Sequence, residues 1–397
     1  MPLSKTIVKI ALVTYSTKPR GSVIHTLELA SALAERGHDV CIFALDKDGS
    51  GFEQLPACRV QLVPAGPAPA DVNKLISQRI QELTDFIAQT TAAFDIYHAQ
   101  DCIAANALLQ LRQRGQIAAV VRTVHHIEDF QSPYLQQCQD ASIRQPDLCL
   151  CVSDRWQATL KTDYDITAPR VINGVNLTRF AARPSSEEEA VKQKYGLSGS
   201  PIYLTVGGIE PRKNSVRLLE AFAKVRESAP RAQLVIAGGA TLFDYQAYRD
   251  QFFNRVAALD IAIGTSLVLP GVIPAADLPA LYRCADVFCF PSSKEGWGLV
   301  VLEAIASALP VIVSDQPPFT EFLQRDQAFW IDPDQPTAIA TAMLKALSPD
   351  SRALIQRSQA ILSRYSWPLS ARLHEQHYRR LLAARPPDSR CPHPLSV

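Results

Sequence analysis

Two carboxylates and two cations carry the clearest chemical signal in the chain. Glu295 and Glu303 stand in SSKEGWGLVVLEAIA, one just ahead of a Gly-Trp-Gly turn and one inside the apolar run behind it. Arg212 and Lys213 stand in VGGIEPRKNSVRLLEAF, between strand-like and helix-like text. An ionised carboxylate accepts hydrogen bonds, as paired ribose or hexose hydroxyls offer. Two cations at a helix N-terminus oppose the helix dipole unless an anion lies between them, so their placement suits a phosphate. Together these groups suit one ligand with two diols and phosphates between them, a nucleotide sugar. A lone E-x7-E would instead read as a helix-surface glutamate and a dipole-stabilising one, and a lone basic turn as a solvated one.

Other loops add weaker signals. His125 and His126 end VVRTVHH. A histidine there can hydrogen-bond a reacting oxygen or move a proton. Neighbouring strand residues point to opposite faces, so the pair is not expected to chelate one metal; a satisfied structural histidine is the competing reading. Gly21-Ser22 closes STKPRGS at a helix start, where free N–H groups favour an anion. It does not match GxGxxG, so a nicotinamide-dinucleotide fingerprint is absent here. Gly296 and Gly298 leave backbone N–H groups open around Trp297, which offers an apolar wall. Main chain at Gly238-Gly239 and Gly271-Val272-Ile273 can meet a nucleobase, and ordinary turns read the same way.

These loops need strands and helices to aim them. KIALVTYS, HDVCIFAL, DIYHA, AAVVRTVHH, DLCLCVS and RVING read as strands, with helical text between most of them. In SVIHTLELASALAERG, Leu27, Leu29, Ala30, Leu33 and Ala34 lie near one helix face, and Gly37 suits its end. KLISQRIQELTDFIAQT places Leu75, Ile76, Ile80, Leu83 and Ile87 on one side. A helix packed on the sheet is preferred there over a membrane-facing one. The polar stretch from Arg183 to Glu189 reads as a linker. The alternation then restarts with PIYLTVGG, helix NSVRLLEAFAKVRES, AQLVIAGG, SLVLPG, ADVFCFPS and PVIVSD.

The expectation is therefore α/β: two Rossmann-like, doubly wound parallel-sheet domains facing across a cleft. Residues 1–182 form the first and 183–367 the second. A charged amphipathic helix at about 368–385 crosses back to complete the first, and 386–397 is a frayed, Pro-rich tail. Ligands of open parallel sheets bind beyond the carboxyl ends of the strands, where these loops lie.

Composition agrees. A chain of 397 residues exceeds the usual single core. Hydrophobic residues make up 47% and charged ones 20%, as in an ordinary globular protein. A net charge of +1 argues against a nucleic-acid partner. No apolar run approaches the ~20 residues of a membrane span, and MPLSKTIVKIALVTY reads as leading into a first strand rather than as a signal peptide. The nine cysteines form no CxxC pair, so buried free thiols in a reducing cytosol are expected, with no metal site.

VGGIEPRK followed by EGWGLVVLEA, with VINGVNLTRF closing the first domain and YSWPLSARLHEQHYRRLL near the chain end, resembles glycosyltransferase family 4. The resemblance covers nearly the whole chain in order, and VRTVHHIEDF with VGGIEPRKNS is similar to a smaller bacterial subgroup. It implies the GT-B fold and a retaining enzyme. It further implies that Glu295 binds hydroxyls of the transferred sugar and Glu303 the ribose diol. The amides around Trp297, Gly298 and Leu299 would meet the donor, and Lys213 the pyrophosphate. Gly21 would lie near the phosphates and acceptor, His125 would face the reacting sugar, and main chain near Val272 would meet the base. The family writes V-G-R where this chain has Val206-Gly207-Gly208, so an arginine is missing at Gly208; Arg212 is the candidate substitute. Asn214 also replaces a common glycine.

The expected function is thus a retaining, metal-independent hexosyltransferase without a cofactor, using a nucleotide-sugar donor, with UDP as the family-level choice. Its acceptor would be a carbohydrate, lipid-linked or small-molecule hydroxyl, and its place the cytoplasm, with or without contact to the inner membrane face. Two alternatives stand beside it. One is a sugar-nucleotide-binding protein that has lost catalysis, which Gly208 supports. The other is an epimerase or phosphorylase on the same fold.

Overall fold

The computed structural model describes residues 7–183, 186–239 and 245–385. The expected tail 386–397, and Pro184 and Ser185 of the expected linker, lie outside them.

The chain divides into two units, residues 1–174 with 367–397, and residues 175–366. The first sheet comprises β1 (Lys9–Thr14), β2 (Asp39–Asp46), β3 (Arg59–Pro64), β4 (Ile96–Ala99), β5 (Val120–Val124) and β6 (Leu148–Cys151). The second comprises β7 (Ile202–Val206), β8 (Gln233–Ala237), β9 (Leu267–Gly271), β10 (Val287–Phe290), β11 (Val311–Ser314) and β12 (Phe329–Ile331). Every pairing is parallel. Helices cover both faces, which is why β4, β5, β8, β10 and β11 are buried along their whole length.

The strand orders are β3-β2-β1-β4-β5-β6 and β12-β11-β10-β7-β8-β9. Counted from the first strand of each unit, these are the same doubly wound order. It reverses between β1 and β4 in one sheet and between β7 and β10 in the other. A doubly wound sheet opens a crevice at such a reversal, beyond the strands' carboxyl ends.

Four sequence readings differ from the structure. β3 and β12 are edge strands that the pattern did not mark. β3 is largely exposed and β12 spans three residues, so neither shows a long buried run. RVING is not a strand: Arg170 makes an isolated bridge to Cys151. The units divide after Gly174, ahead of the expected break at 182. The acidic run Glu187 to Glu189 is no linker but the first turn of helix Glu187–Tyr195, where negative charge suits the helix N-terminus. Arg283 binds Glu188 there at 2.5 Å.

The C-terminal helix, Trp367–Ala383, belongs to the first unit. Its Ser370 hydroxyl donates to the Ile172 carbonyl at 2.5 Å, and the Tyr378 hydroxyl meets His98 Nδ1 at 2.7 Å. The second unit ties its own two ends together, with Val175 N donating to the Tyr365 carbonyl at 3.2 Å.

The first helix, Gly21–Glu35, buries Val23, Thr26, Leu29, Ala30 and Leu33, whereas Leu27 and Ala34 stay half-buried. The helix Val72–Ala88 packs Ile80, Leu83 and Ile87 into the core of the first unit. Among the described residues, no helix is long and apolar enough to cross a membrane. The eight cysteines among them are free thiols.

Candidate active site

In the second unit the loops after β7 and β10 meet at the sheet's reversal point. Pro211–Lys213 makes one tight turn. Asn214 then adopts a left-handed conformation, φ 58° and ψ 37°, and starts helix Ser215–Ser228. Asparagine tolerates that conformation better than most residues, so it takes the glycine's role here. Its side chain adds a bond from Nδ2 to the Pro333 carbonyl at 2.6 Å. The loop from β10 is locked to this turn. Ser292 Oγ and Ser293 N both donate to the Arg212 carbonyl, at 2.7 and 2.8 Å.

This locking brings Glu295 onto both cations. Its Oε1 accepts from Lys213 Nζ at 2.6 Å and Arg212 Nη1 at 2.9 Å, with Ser292 Oγ 2.8 Å away. Arg212 Nε also meets Glu210 Oε2 at 2.9 Å, and Lys213 Nζ sits 4.4 Å above the Phe290 ring. Glu295 is 7% exposed. Burial disfavours its charge, but Lys213 and Arg212 outweigh burial and hold the carboxyl below its ordinary value. Burial also lowers the Lys213 ammonium, against the pull of Glu295. The anion expected between the two cations is thus supplied, in the unliganded chain, by the chain itself.

Gly208 is set by packing. A Cβ there would stand 2.4 Å from the Gly239 carbonyl oxygen. A Cβ on Gly238 would stand 2.6 Å from the Gly207 carbonyl carbon, and one on Gly239 would stand 2.5 Å from Val272 Cγ2. The loops after β7, β8 and β9 therefore touch main chain to main chain. Val272 lies at the end of this contact, 58% exposed.

Glu303 is buried rather than a surface residue. The buried Tyr282 hydroxyl donates to its Oε2 at 2.8 Å. Burial, then the Glu303 charge, push the Tyr282 phenol well above its ordinary value, so it stays a donor. Gly298, with φ 93°, precedes helix Leu299–Ala306, and its missing Cβ leaves room for the Phe319 ring. Trp297 is not an open apolar wall. It is 3% exposed, stacked on Phe322 at 4.9 Å and tilted against Tyr365 at 5.4 Å. Its large apolar ring gains more in this aromatic cluster than beside water.

In the first unit, His125 and His126 lie just past the end of β5 and turn to different partners. His126 meets Glu128 Oε1 at 3.0 Å and the Trp156 ring at 5.3 Å. His125 Nε2 meets Gln100 Oε1 at 3.0 Å, and its ring lies edge-on to His25 at 4.6 Å. His25 bonds Asn173 Oδ1 at 2.6 Å and approaches His374 at 5.6 Å. Burial holds the imidazoles of His25, His374, His125 and His98 neutral: His25 falls to about 4, His374 to about 3, and His125 and His98 well below their ordinary range. Gly21 opens the first helix beside Arg20, which offers no side-chain cap, and a Cβ on it would meet nothing within 4 Å.

The structure thus joins Arg212, Lys213 and Glu295, joins Gly208 to Val272 through Gly239, and sets Glu303 and Trp297 in separate contacts. Sequence reasoning did not find Ser292, Tyr282, Gln100 or the histidines 25, 98 and 374. Gln100 and Ser292 could have been found, since Gln100 follows directly on β4 and Ser292 lies two residues past β10, both buried strands next to a reversal point. Among the described residues, no cluster of three His, Cys, Asp or Glu side chains could hold a metal.

Known proteins match both units. The model for Glycosyltransferase Family 4 matches residues 19–179, and that for Glycosyl transferases group 1 matches residues 187–361. An O-antigen chain mannosyltransferase B of Escherichia coli is 29% identical over 64% of this chain and 68% of its own length. An alpha-monoglucosyldiacylglycerol synthase of Streptococcus pneumoniae is 27% identical over 77% of this chain and 70% of its own. Among solved structures, sucrose-phosphate synthase from Thermosynechococcus elongatus superposes with a TM-score of 0.75 at 23% identity, covering 95% of this chain and 99% of the other. Anabaena Alr3699/HepE, solved with UDP and glucose, gives 0.74 at 17% identity, covering 94% and 99%.

Proposed function

Because the chain belongs to the family 4 glycosyltransferases of GT-B fold, we propose that it is a retaining hexosyltransferase acting on a UDP-linked sugar without a metal ion. The observation that carries this reading is the convergence of Lys213 and Arg212 at the reversal point of the second sheet. The mannosyl- and glucosyl-transferring relatives support a hexose, and the neighbour solved with UDP and glucose supports UDP.

In this reaction the bond from the sugar's anomeric carbon to the diphosphate oxygen breaks, and the acceptor oxygen bonds to the same face of that carbon. The acceptor's proton passes to the departing diphosphate. Negative charge grows on the diphosphate as the bond breaks. Lys213 and Arg212 stabilise it from positions already fixed by the loop bonds, which avoids reorganisation during the reaction. Glu295 accepts hydroxyls of the transferred sugar, and Glu303 the ribose diol. Tyr282 orients Glu303. Amides at Trp297, Gly298 and Leu299 line the approach to the donor, and main chain near Val272 meets the base. In the first unit, neutral His125 faces the reacting sugar and the open helix start at Gly21 admits phosphate and acceptor.

Arg212 stands in for the arginine absent at Gly208. The reading of Gly208 as a lost clamp is correspondingly weaker, because packing alone requires glycine there.

The test is thermal stabilisation of the protein by UDP-, GDP- and ADP-sugars, with and without chelator, followed by detection of transferred sugar. A shift with the UDP series that survives chelation supports the donor and metal independence. A shift confined to another series replaces the base, and loss on chelation refutes metal independence. Binding with no transfer to any acceptor tried favours a binding protein.

A further inference from the structure

Glu295 Oε1 accepts from Lys213 Nζ at 2.6 Å and from Arg212 Nη1 at 2.9 Å. A carboxylate oxygen offers about two lone-pair sites. It is therefore full, and cannot also receive a sugar hydroxyl while it holds both cations. Conversely, a phosphate that approaches Lys213 and Arg212 through their remaining N–H groups meets the like charge of Glu295, which already draws on the same two cations. Glu295 is buried and Lys213 lies against the Phe290 ring, so these charges interact more strongly than in water.

We propose that Glu295 is an internal competitor for the phosphate site, exchanged by the arriving donor. The diphosphate takes Lys213 and Arg212, and the released Oε1 takes the sugar's hydroxyls. A complete donor satisfies both sides of this exchange. A nucleoside diphosphate without sugar satisfies only one: it strips the cations from a buried carboxylate and gives that carboxylate nothing in return. The arrangement thus favours sugar-bearing donor over spent product, and returns the cations to Glu295 as product leaves. This proposal rests on the phosphate-binding role given to Lys213 and Arg212 above.

The probe is inorganic pyrophosphate, titrated calorimetrically into the full chain, its Glu295→Gln variant and its Lys213→Ala variant. Glutamine keeps the shape and removes the competing charge, so its affinity for pyrophosphate is expected to rise at least tenfold. Lys213→Ala is expected to lose binding. If Lys213→Ala loses binding but Glu295→Gln binds no more tightly than the native chain, the exchange is wrong and the phosphate site stands. If Lys213→Ala binds as the native chain does, or if neither the native chain nor Glu295→Gln binds, the phosphate reading fails and the exchange with it. Should the glutamine variant not fold, Glu295→Asp withdraws the carboxylate by one methylene. It is then expected to tighten pyrophosphate binding, and unchanged or weaker binding overturns the exchange.

Discussion

Gly208 faces the carbonyl oxygen of Gly239 so closely that a Cβ would lie 2.4 Å from it. The obstacle is backbone, which yields only if the loop after β8 moves. Adding the arginine that the family resemblance implies at this position should therefore harm the protein. Gly208→Arg is expected to lose roughly 1–3 kcal/mol of stability and to gain no donor affinity. Thermal unfolding and donor titration check both; a variant of native stability with tighter binding would show that the loops accommodate the side chain.

Lys213 and Arg212 should differ in weight. Lys213 is the more buried and makes the shorter bond to Glu295, 2.6 against 2.9 Å. Lys213→Ala is expected to lower turnover by about 10²–10³-fold, the effect of losing one preorganised charge-stabilising donor. Arg212→Ala, which also frees Glu210 from its partner, should lower it by about tenfold on the same reasoning. Steady-state rates with saturating donor decide this, and equal losses would mean that both cations meet the diphosphate equally.

His125 should act as a neutral imidazole. Gln100 lies 3.0 Å from its Nε2. In Gln100→Glu that neighbour becomes a carboxylate, which favours imidazolium and raises the His125 value. The native pH–rate profile should show no limb from His125 near neutrality. The variant should gain one, with activity falling as pH drops. An unchanged profile in an active variant would remove His125 from the chemistry.

The histidines of the first unit should make the protein acid-sensitive. His25 titrates at about 4 and His374 at about 3 when folded, against 6.5 in an open chain, with burial the main cause. Below 6.5 the unfolded chain binds protons that the folded chain refuses. Stability from these residues is therefore fully present above pH 6.5 and falls as pH drops, by about 1.4 kcal/mol per unit for each histidine, until the folded values are reached. His25→Asn and His374→Asn should flatten this slope between pH 6 and 4.5, measured by urea unfolding. A slope the same in both variants would place the acid sensitivity elsewhere.

The strands beside both reversal points were legible because burial on both faces writes continuous apolar runs such as IALV in β1 and VFCF in β10. β3 and β12 were not, because β3 is largely exposed and β12 is only three residues long. The pair Arg212-Lys213 was legible as a pair of cations, since their placement ahead of a helix is unfavourable without an anion. That Glu295 supplies the anion was not, because the contact spans separate loops and depends on Ser292 and Ser293 reaching the Arg212 carbonyl. Trp297 was misread for a related reason. A tryptophan between glycines looks open in sequence, and only the fold brings Phe322 and Tyr365 over it.

The return of the last helix to the first unit also sets an order of events at the ribosome. His98 cannot meet Tyr378, nor Ile172 meet Ser370, until nearly all of the chain has been made. The second unit, whose ends are already joined at Val175 and Tyr365, has all its parts earlier. The half of the protein written first is thus the half completed last, and it must wait through the synthesis of its neighbour before Ser370 and Tyr378 can join it.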